Sequence, residues 1–171
     1  MKKVCLLVLA LVLVGALALA EGVEPSMFLV GRGLMVLDEE QLRSMGSDGT
    51  DSESFQGLEE STLCGFAPSE ENTPAIMLYD GEKLYIAFDM TSMFGEGTMD
   101  SKAIGSVFID FCNAYDYDIF FFGEGDDGLI YYRDEGVLDK MLSLSNDPSS
   151  VPKQIYQDKA EFLAACTALL G

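Results

Sequence analysis

Residues 74–89 read PAIMLYDGEKLYIAFD, two short apolar runs on either side of Asp80-Gly81. An Asp-Gly pair between alternating hydrophobic residues is a strong hairpin signal, because Gly supplies the positive φ that a tight turn needs. Ile76, Leu78, Leu84, Ile86 and Phe88 share one parity and read as the buried face. Met77, Tyr79, Lys83, Tyr85, Ala87 and Asp89 share the other. Two rules conflict over the loop. A two-residue Asp80-Gly81 turn sets Leu78 opposite Lys83, whereas a three-residue loop keeps apolar against apolar. Register follows the buried face, so the longer loop is expected.

Outward from this hairpin, Thr62–Ala67 reads as a preceding strand. Downstream, Asp100 or Ser101 caps a helix to about Tyr115, with Ile104, Phe108, Phe111, Cys112 and Tyr115 recurring at helical spacing. A second hairpin joins Asp118–Phe122 to Leu129–Arg133 through an acidic glycine loop. Residues 134–155 hold a turn or two of helix near Val137–Leu144 and then a loop with Pro148 and Pro152. A last helix starts at about Asp158, with Phe162, Leu163, Cys166, Leu169 and Leu170 on its apolar face. Upstream, Met27–Val30 and Leu34–Leu37 read as strand or extended chain. Asp38 has the features of an N-cap, with Glu39, Glu40 and Gln41 following. Residues 46–62 are polar and aperiodic and read as a mobile loop. The fold class is α+β: an antiparallel sheet of about five strands (two hairpins plus one) with helices packed mainly on one face.

The first twenty residues have the form of a secretory signal: Lys2-Lys3, an uncharged apolar run from Val4, and Ala18-Leu19-Ala20 before Glu21. Cleavage after Ala20 is expected, giving a soluble secreted or periplasmic product of 151 residues. The chain thus divides into a signal at 1–20, an extended or short helical segment with an acidic loop at 21–60, and one α+β domain at 61–171. The leader carries two lysines and no acid, so its removal moves the net charge from −19 to −21. Such a charge repels phosphate backbones and anionic lipid, which need a basic footprint. Nucleic acid is excluded as a partner, and so is a membrane once the signal is removed. A protein partner is compatible with the charge, and cations and basic proteins suit it best.

Histidine is absent, which removes Ser-His-Asp and Cys-His catalysis and His-bearing zinc sites. Cys64, Cys112 and Cys166 remain after cleavage, too few for a four-cysteine zinc centre. Cys112 and Cys166 both fall on apolar helix stripes, so a bridge between them and two buried free thiols are both open. Fitted to the calcium-loop pattern, Gly123–Gly128 puts glycines where side-chain oxygens are required. With 29 acids, any carboxylate pair can be picked for glycoside chemistry, so the pattern has no specificity. No catalytic, metal-binding or cofactor-binding residue is assigned, and no cofactor is implied.

The stretch Ile104–Arg133 carries a helix ending near Asn113, a brief link, an aromatic strand, an acidic glycine turn and a second strand. With the closing helix after Val151-Pro152, this order resembles the YbjN-like family, whose members share a fold with type III secretion chaperones. The resemblance covers about the last hundred residues and rests on element order and turn chemistry. It implies a small bacterial protein-interaction module with no catalytic residues. The inserts at 91–99 and 134–155 and the leading segment depart from that pattern.

Strand side chains alternate faces, so helices on one side leave the other aromatic set uncovered. Met77, Tyr79 and Tyr85, with Phe120, Phe122 and Tyr131 of the second hairpin, form the candidate interaction surface. The expected function is an exported, non-enzymatic protein-interaction domain. The alternatives are a small carboxylate-dependent hydrolase acting on glycans and a low-affinity cation-binding protein.

Overall fold

The computed structural model describes residues 22–45, 57–68, 74–89, 100–123, 127–144, 152 and 154–171. The signal at 1–20, most of the polar loop (46–56), the insert at 91–99, loop residues 124–126 and residues 145–151 lie outside the described residues.

Seven strands are described: β1 (Met35–Asp38), β2 (Leu63–Ala67), β3 (Ala75–Tyr79), β4 (Leu84–Phe88), β5 (Ile119–Phe122), β6 (Leu129–Tyr132) and β7 (Gln154–Tyr156). They form one sheet in the order β1-β4-β3-β2-β5-β6-β7. The helices are α1 (Pro25–Gly31), α2 (Glu39–Ser44), α3 (Ser101–Ala114), α4 (Glu135–Leu144) and α5 (Lys159–Leu170). The α+β class stands, but the sheet is mixed and has seven strands, in place of the antiparallel sheet of about five. β2 with β5 and β6 with β7 run parallel, and the other pairs are antiparallel. The extra strands are the two edges: β1, already legible as extended chain, and β7, three residues without a sequence signal.

Helix starts follow the sequence. Asp38 and Gln41 form a reciprocal capping box, Asp100 accepts from the Ala103 N–H, and Asp158 accepts from Ala160 and Glu161. Residues 27–30 differ: the short apolar run is helical within α1. Pro25 at its first turn presets the helical φ, and Leu29 is buried. Four apolar residues in a row do not distinguish a strand from a helix segment.

The hairpin register also differs. Leu78 pairs with Tyr85 and Tyr79 with Leu84, so four residues, 80–83, connect the strands. The Asp80 carboxylate accepts the N–H groups of Glu82 and Lys83 at 2.9 and 2.7 Å, and Gly81 sits at φ 96°. This turn chemistry shifts β4 by one residue from the expected pairing, which moves every β4 side chain to the other face.

Cross-strand rows define the two faces. Val36, Ala87, Ile76, Phe66, Phe122 and Leu129 line up on one, beside Tyr85, Leu78, Cys64, Phe120 and Tyr131. Helices α1, α3 and α5 cover this face with Leu29, Ile104, Phe108, Phe111, Cys112, Phe162 and Cys166. Leu29 and Leu34 are members of this core, and Phe28 and Val36 pack against it, so the leading segment shares it with the residues after 61. Aromatic contacts run through it: Phe66 meets Phe122 at 5.2 Å, Phe108 lies 6.0 Å from Phe66, and Phe120 lies 6.4 Å from Phe162. The opposite face has its own core of Leu58, Leu63, Tyr79, Leu84, Ile119, Ile130 and Tyr132, closed by Val137, Leu138, Met141 and Leu142 of α4. Gly65 sits on that face beneath the Phe121 ring, and a Cβ there would fall inside the ring's van der Waals shell.

Cys64, Cys112 and Cys166 are free and buried, so no Cys112–Cys166 bridge forms. Burial pushes all three thiols up, that of Cys166 to about 12.

Asp118 joins the two halves of the sheet. It is buried, and its carboxylate accepts the Thr62 N–H at 2.8 Å, the Thr62 hydroxyl at 2.9 Å, and Arg133. Its own N–H donates to the Thr62 carbonyl at 3.1 Å. Asp118→Ala is expected to cost about 2 kcal/mol, because it leaves the half-buried Thr62 N–H and hydroxyl without their acceptor as well as removing a charge-assisted bond. Arg133→Ala is expected to cost about 1 kcal/mol or less, since that ion pair is half-exposed. Urea denaturation compares them, and equal losses would contradict this account of the clasp. Gly65→Ala is expected to cost about 2 kcal/mol by overpacking. In a Phe121→Ala background the same change is expected to cost less than half as much; an unchanged cost would show that the ring is not the obstacle.

Candidate functional site

The six aromatic and Met positions expected on one open face are divided between the two. Tyr85, Phe120, Phe122 and Tyr131 point toward α3 and α5. Phe120, Phe122 and Tyr131 are buried there, and Tyr85 is half-buried at the margin. Met77 and Tyr79 lie on the other face, Tyr79 buried and Met77 half-buried against the second cluster. No single aromatic face exists among them. The one-residue shift of β4 turns Tyr85 inward, and the sheet is covered on both sides.

Tyr85 does reach a cleft. Its walls come from the entry to α1 and from the β3–β4 turn. Glu24 stands at the N-cap of α1, where an oxygen-bearing side chain ordinarily accepts a backbone N–H. Its side chain makes no such bond. The segment before and through α1 is strapped across the C-terminal half of α3. The Tyr115 hydroxyl donates to the Val23 carbonyl at 2.9 Å, and Phe28 meets Phe111 and Tyr115 edge-on at 5.9 and 5.5 Å. Arg32 pairs with Asp110 and lies 4.9 Å from the centre of the Phe28 ring. This strap places Glu24, Pro25 and Ser26 opposite Asp80, Tyr85 and Tyr117, over Leu78.

The cleft is open to solvent and holds about 30 Å³. Two carboxylates and two phenols line it with no Lys or Arg. Burial first, then the neighbouring Asp80 carboxylate and the charges of Asp38 and Glu24, pushes the Tyr85 phenol up. Burial above all pushes the Tyr117 phenol far up, with Asp80 adding to it. Both phenols therefore stay protonated around neutrality and act as neutral hydrogen-bonding groups. Among the described residues, no group of three or more Cys, Asp and Glu side chains is placed to hold a metal ion. No helix among them is long and apolar enough to cross a membrane.

Glu24, Asp80 and Tyr117 carried no site signal in the sequence. Asp80 reads as a turn residue, and Glu24 precedes a run taken as extended chain. Comparison with protein-family models, with curated proteins and with solved structures gives no match to this chain.

A phenol or thiol with a raised folded-state pKa contributes stability that is whole below its unfolded pKa and is lost as pH rises above it. Stability is thus expected to fall above pH ~8.5 as unfolded thiols ionise, and again above pH ~10 as unfolded tyrosine does. Tyr117→Phe is expected to remove part of the second fall and leave the first. Guanidinium denaturation in reductant at pH 7.5, 9.5 and 11 reads both, and a flat profile would contradict the burial of these groups.

Proposed function

We propose that this protein is an exported, non-enzymatic interaction domain that binds a basic, amphipathic segment of another protein across α1. One juxtaposition carries the reading. Met27 and Val30, 57% and 47% exposed, stand three residues apart on the outward side of α1, which starts at the anionic cleft. Apolar area beside uncompensated acid fits a partner that presents apolar anchors next to a cation. The net charge of −19, or −21 once residues 1–20 are removed, steers such a partner inward over distances set by ionic strength.

The leader-like residues 1–20 support export, with cleavage after Ala20 and a secreted or periplasmic product. The resemblance to the YbjN-like family belongs to the same proposal, since it implies an interaction module. Glycan hydrolysis has less support. The cleft, at about 30 Å³, is roughly a tenth of the smallest usual small-molecule sites of about 300 Å³, too small for a sugar ring between two acids. Cation binding has in its favour the two acids, Glu24 and Asp80, that line the cleft.

The test is an NMR titration of the mature chain with a synthetic Lys/Leu amphipathic peptide at low and high salt. Amide shifts centred on residues 24–32 are expected, with affinity at least about tenfold weaker at 0.5 M salt and lost in Met27→Ser/Val30→Ser. Shifts elsewhere, or binding indifferent to that double variant, would reject α1 as the surface.

A further inference from the structure

We infer that folding and thiol oxidation exclude one another in this chain: the core closes only with Cys64, Cys112 and Cys166 all reduced, and once closed it shields them from oxidant. The inference goes beyond the interaction reading and takes one point from it, that Cys5 leaves with the leader.

Three observations converge. First, the cysteines sit on three elements, β2, α3 and α5, yet belong to a single core cluster, and each is 0% exposed. Cys64 pairs with Leu78 on one side and Phe120 on the other, Cys112 follows Phe111 on α3, and Cys166 lies one turn beyond Phe162 on α5. Second, all three are free in the folded chain. Third, their number is odd: of four cysteines in the sequence, three remain once Cys5 is gone. Three thiols close at most one disulfide within a chain. Complete oxidation therefore leaves at least one sulfur joined to a small thiol or to a second chain.

Packing forbids that leftover adduct. A glutathionyl group is a tripeptide, and a close-packed core resists even an added methylene. Whichever pair bridges, the third sulfur carries its adduct at a position without exposed surface, and α3 and α5 cannot close over it. In the unfolded chain the exchange is unhindered. A cysteine thiolate attacks glutathione disulfide, one S–S bond forms as another breaks, and the displaced glutathione thiolate takes up a proton. A second cysteine that attacks this mixed disulfide releases another glutathione and leaves a bridge, so two protein thiols are oxidised and one glutathione disulfide is reduced. In the folded chain the thiols are out of reach, and burial pushes them up, so the attacking thiolate is scarce. In a compartment that supplies disulfides, folding and oxidation then compete. The reduced chain alone presents α1, because Leu29 packs in the same cluster as the three thiols.

The experiment uses the mature chain, glutathione disulfide as oxidant, and intact mass with near-ultraviolet circular dichroism as readouts. At pH 8 the folded chain is expected to be modified at least about a hundredfold more slowly than the guanidinium-unfolded chain. Diluted from guanidinium, the fully oxidised chain is expected to lack the native aromatic signal, and dithiothreitol is expected to restore it. Cys64→Ala/Cys112→Ala/Cys166→Ala keeps a small apolar side chain at each position and is expected to refold equally with and without oxidant. An oxidant effect that persists in this variant would count against the inference, and the dithiothreitol arm tests it without a variant. Recovery of the native spectrum by a chain still carrying glutathione or a bridge, or equal rates for folded and unfolded chains, would overturn it. Peptide binding at α1 is read on the reduced chain, so either reading can fail without the other.

Discussion

The parallel contact between β2 and β5 is the join on which the sheet depends. β1, β4, β3 and β2 form one antiparallel group, β5, β6 and β7 form the other, and hydrogen bonds between the groups run along this ladder. An antiparallel pair inherits its register from a short loop, whereas a parallel pair has none to supply it. Here the register is fixed from the side: Asp118, just before β5, binds both the N–H and the hydroxyl of Thr62, just before β2. The same carboxylate takes Arg133 from the end of β6. One buried acid thus sets the start of two strands and holds the end of a third.

The packing follows that join. Phe66 of β2 and Phe122 of β5 stand side by side across it, and Phe108 of α3 touches both, at 6.0 and 5.9 Å. α3 therefore lies over the join and presses the halves together through rings whose burial is worth several kcal/mol each, about 3–5 on truncation. On the other face the same ladder carries Gly65 beside Phe121. The missing side chain leaves the room that the Phe121 ring occupies.

The cleft is a product of the strap. Residues 23–32 are held on α3 by a hydroxyl bond, two edge-on ring contacts and the Arg32–Asp110 ion pair. Because the strap ends where β4 and β3 turn, acids from two distant stretches of chain meet over Leu78. Among the described residues no Lys or Arg lines the cleft, and burial raises the Tyr85 and Tyr117 phenols further above their ordinary range.

Local chemistry alone determined the helix starts at Asp38, Asp100 and Asp158, the final helix, and the strands of both hairpins, because each depends on neighbours within a few residues. It also fixed the acidic balance and the absence of histidine, and with them the catalytic classes that are closed. The parity of β4, the strand β7, the helical state of residues 25–31 and the parallel join were decided by tertiary structure. Alternation identifies a buried face only when the other face meets water. Here both faces are cores, so apolar side chains occupy both parities and the pattern is silent about register. The same ambiguity made Phe120, Phe122 and Tyr131 read as an exposed surface. Glu24 and Asp80 lie 56 residues apart in the chain, and their proximity exists because α1 docks on α3, a contact between surfaces that no local periodicity encodes.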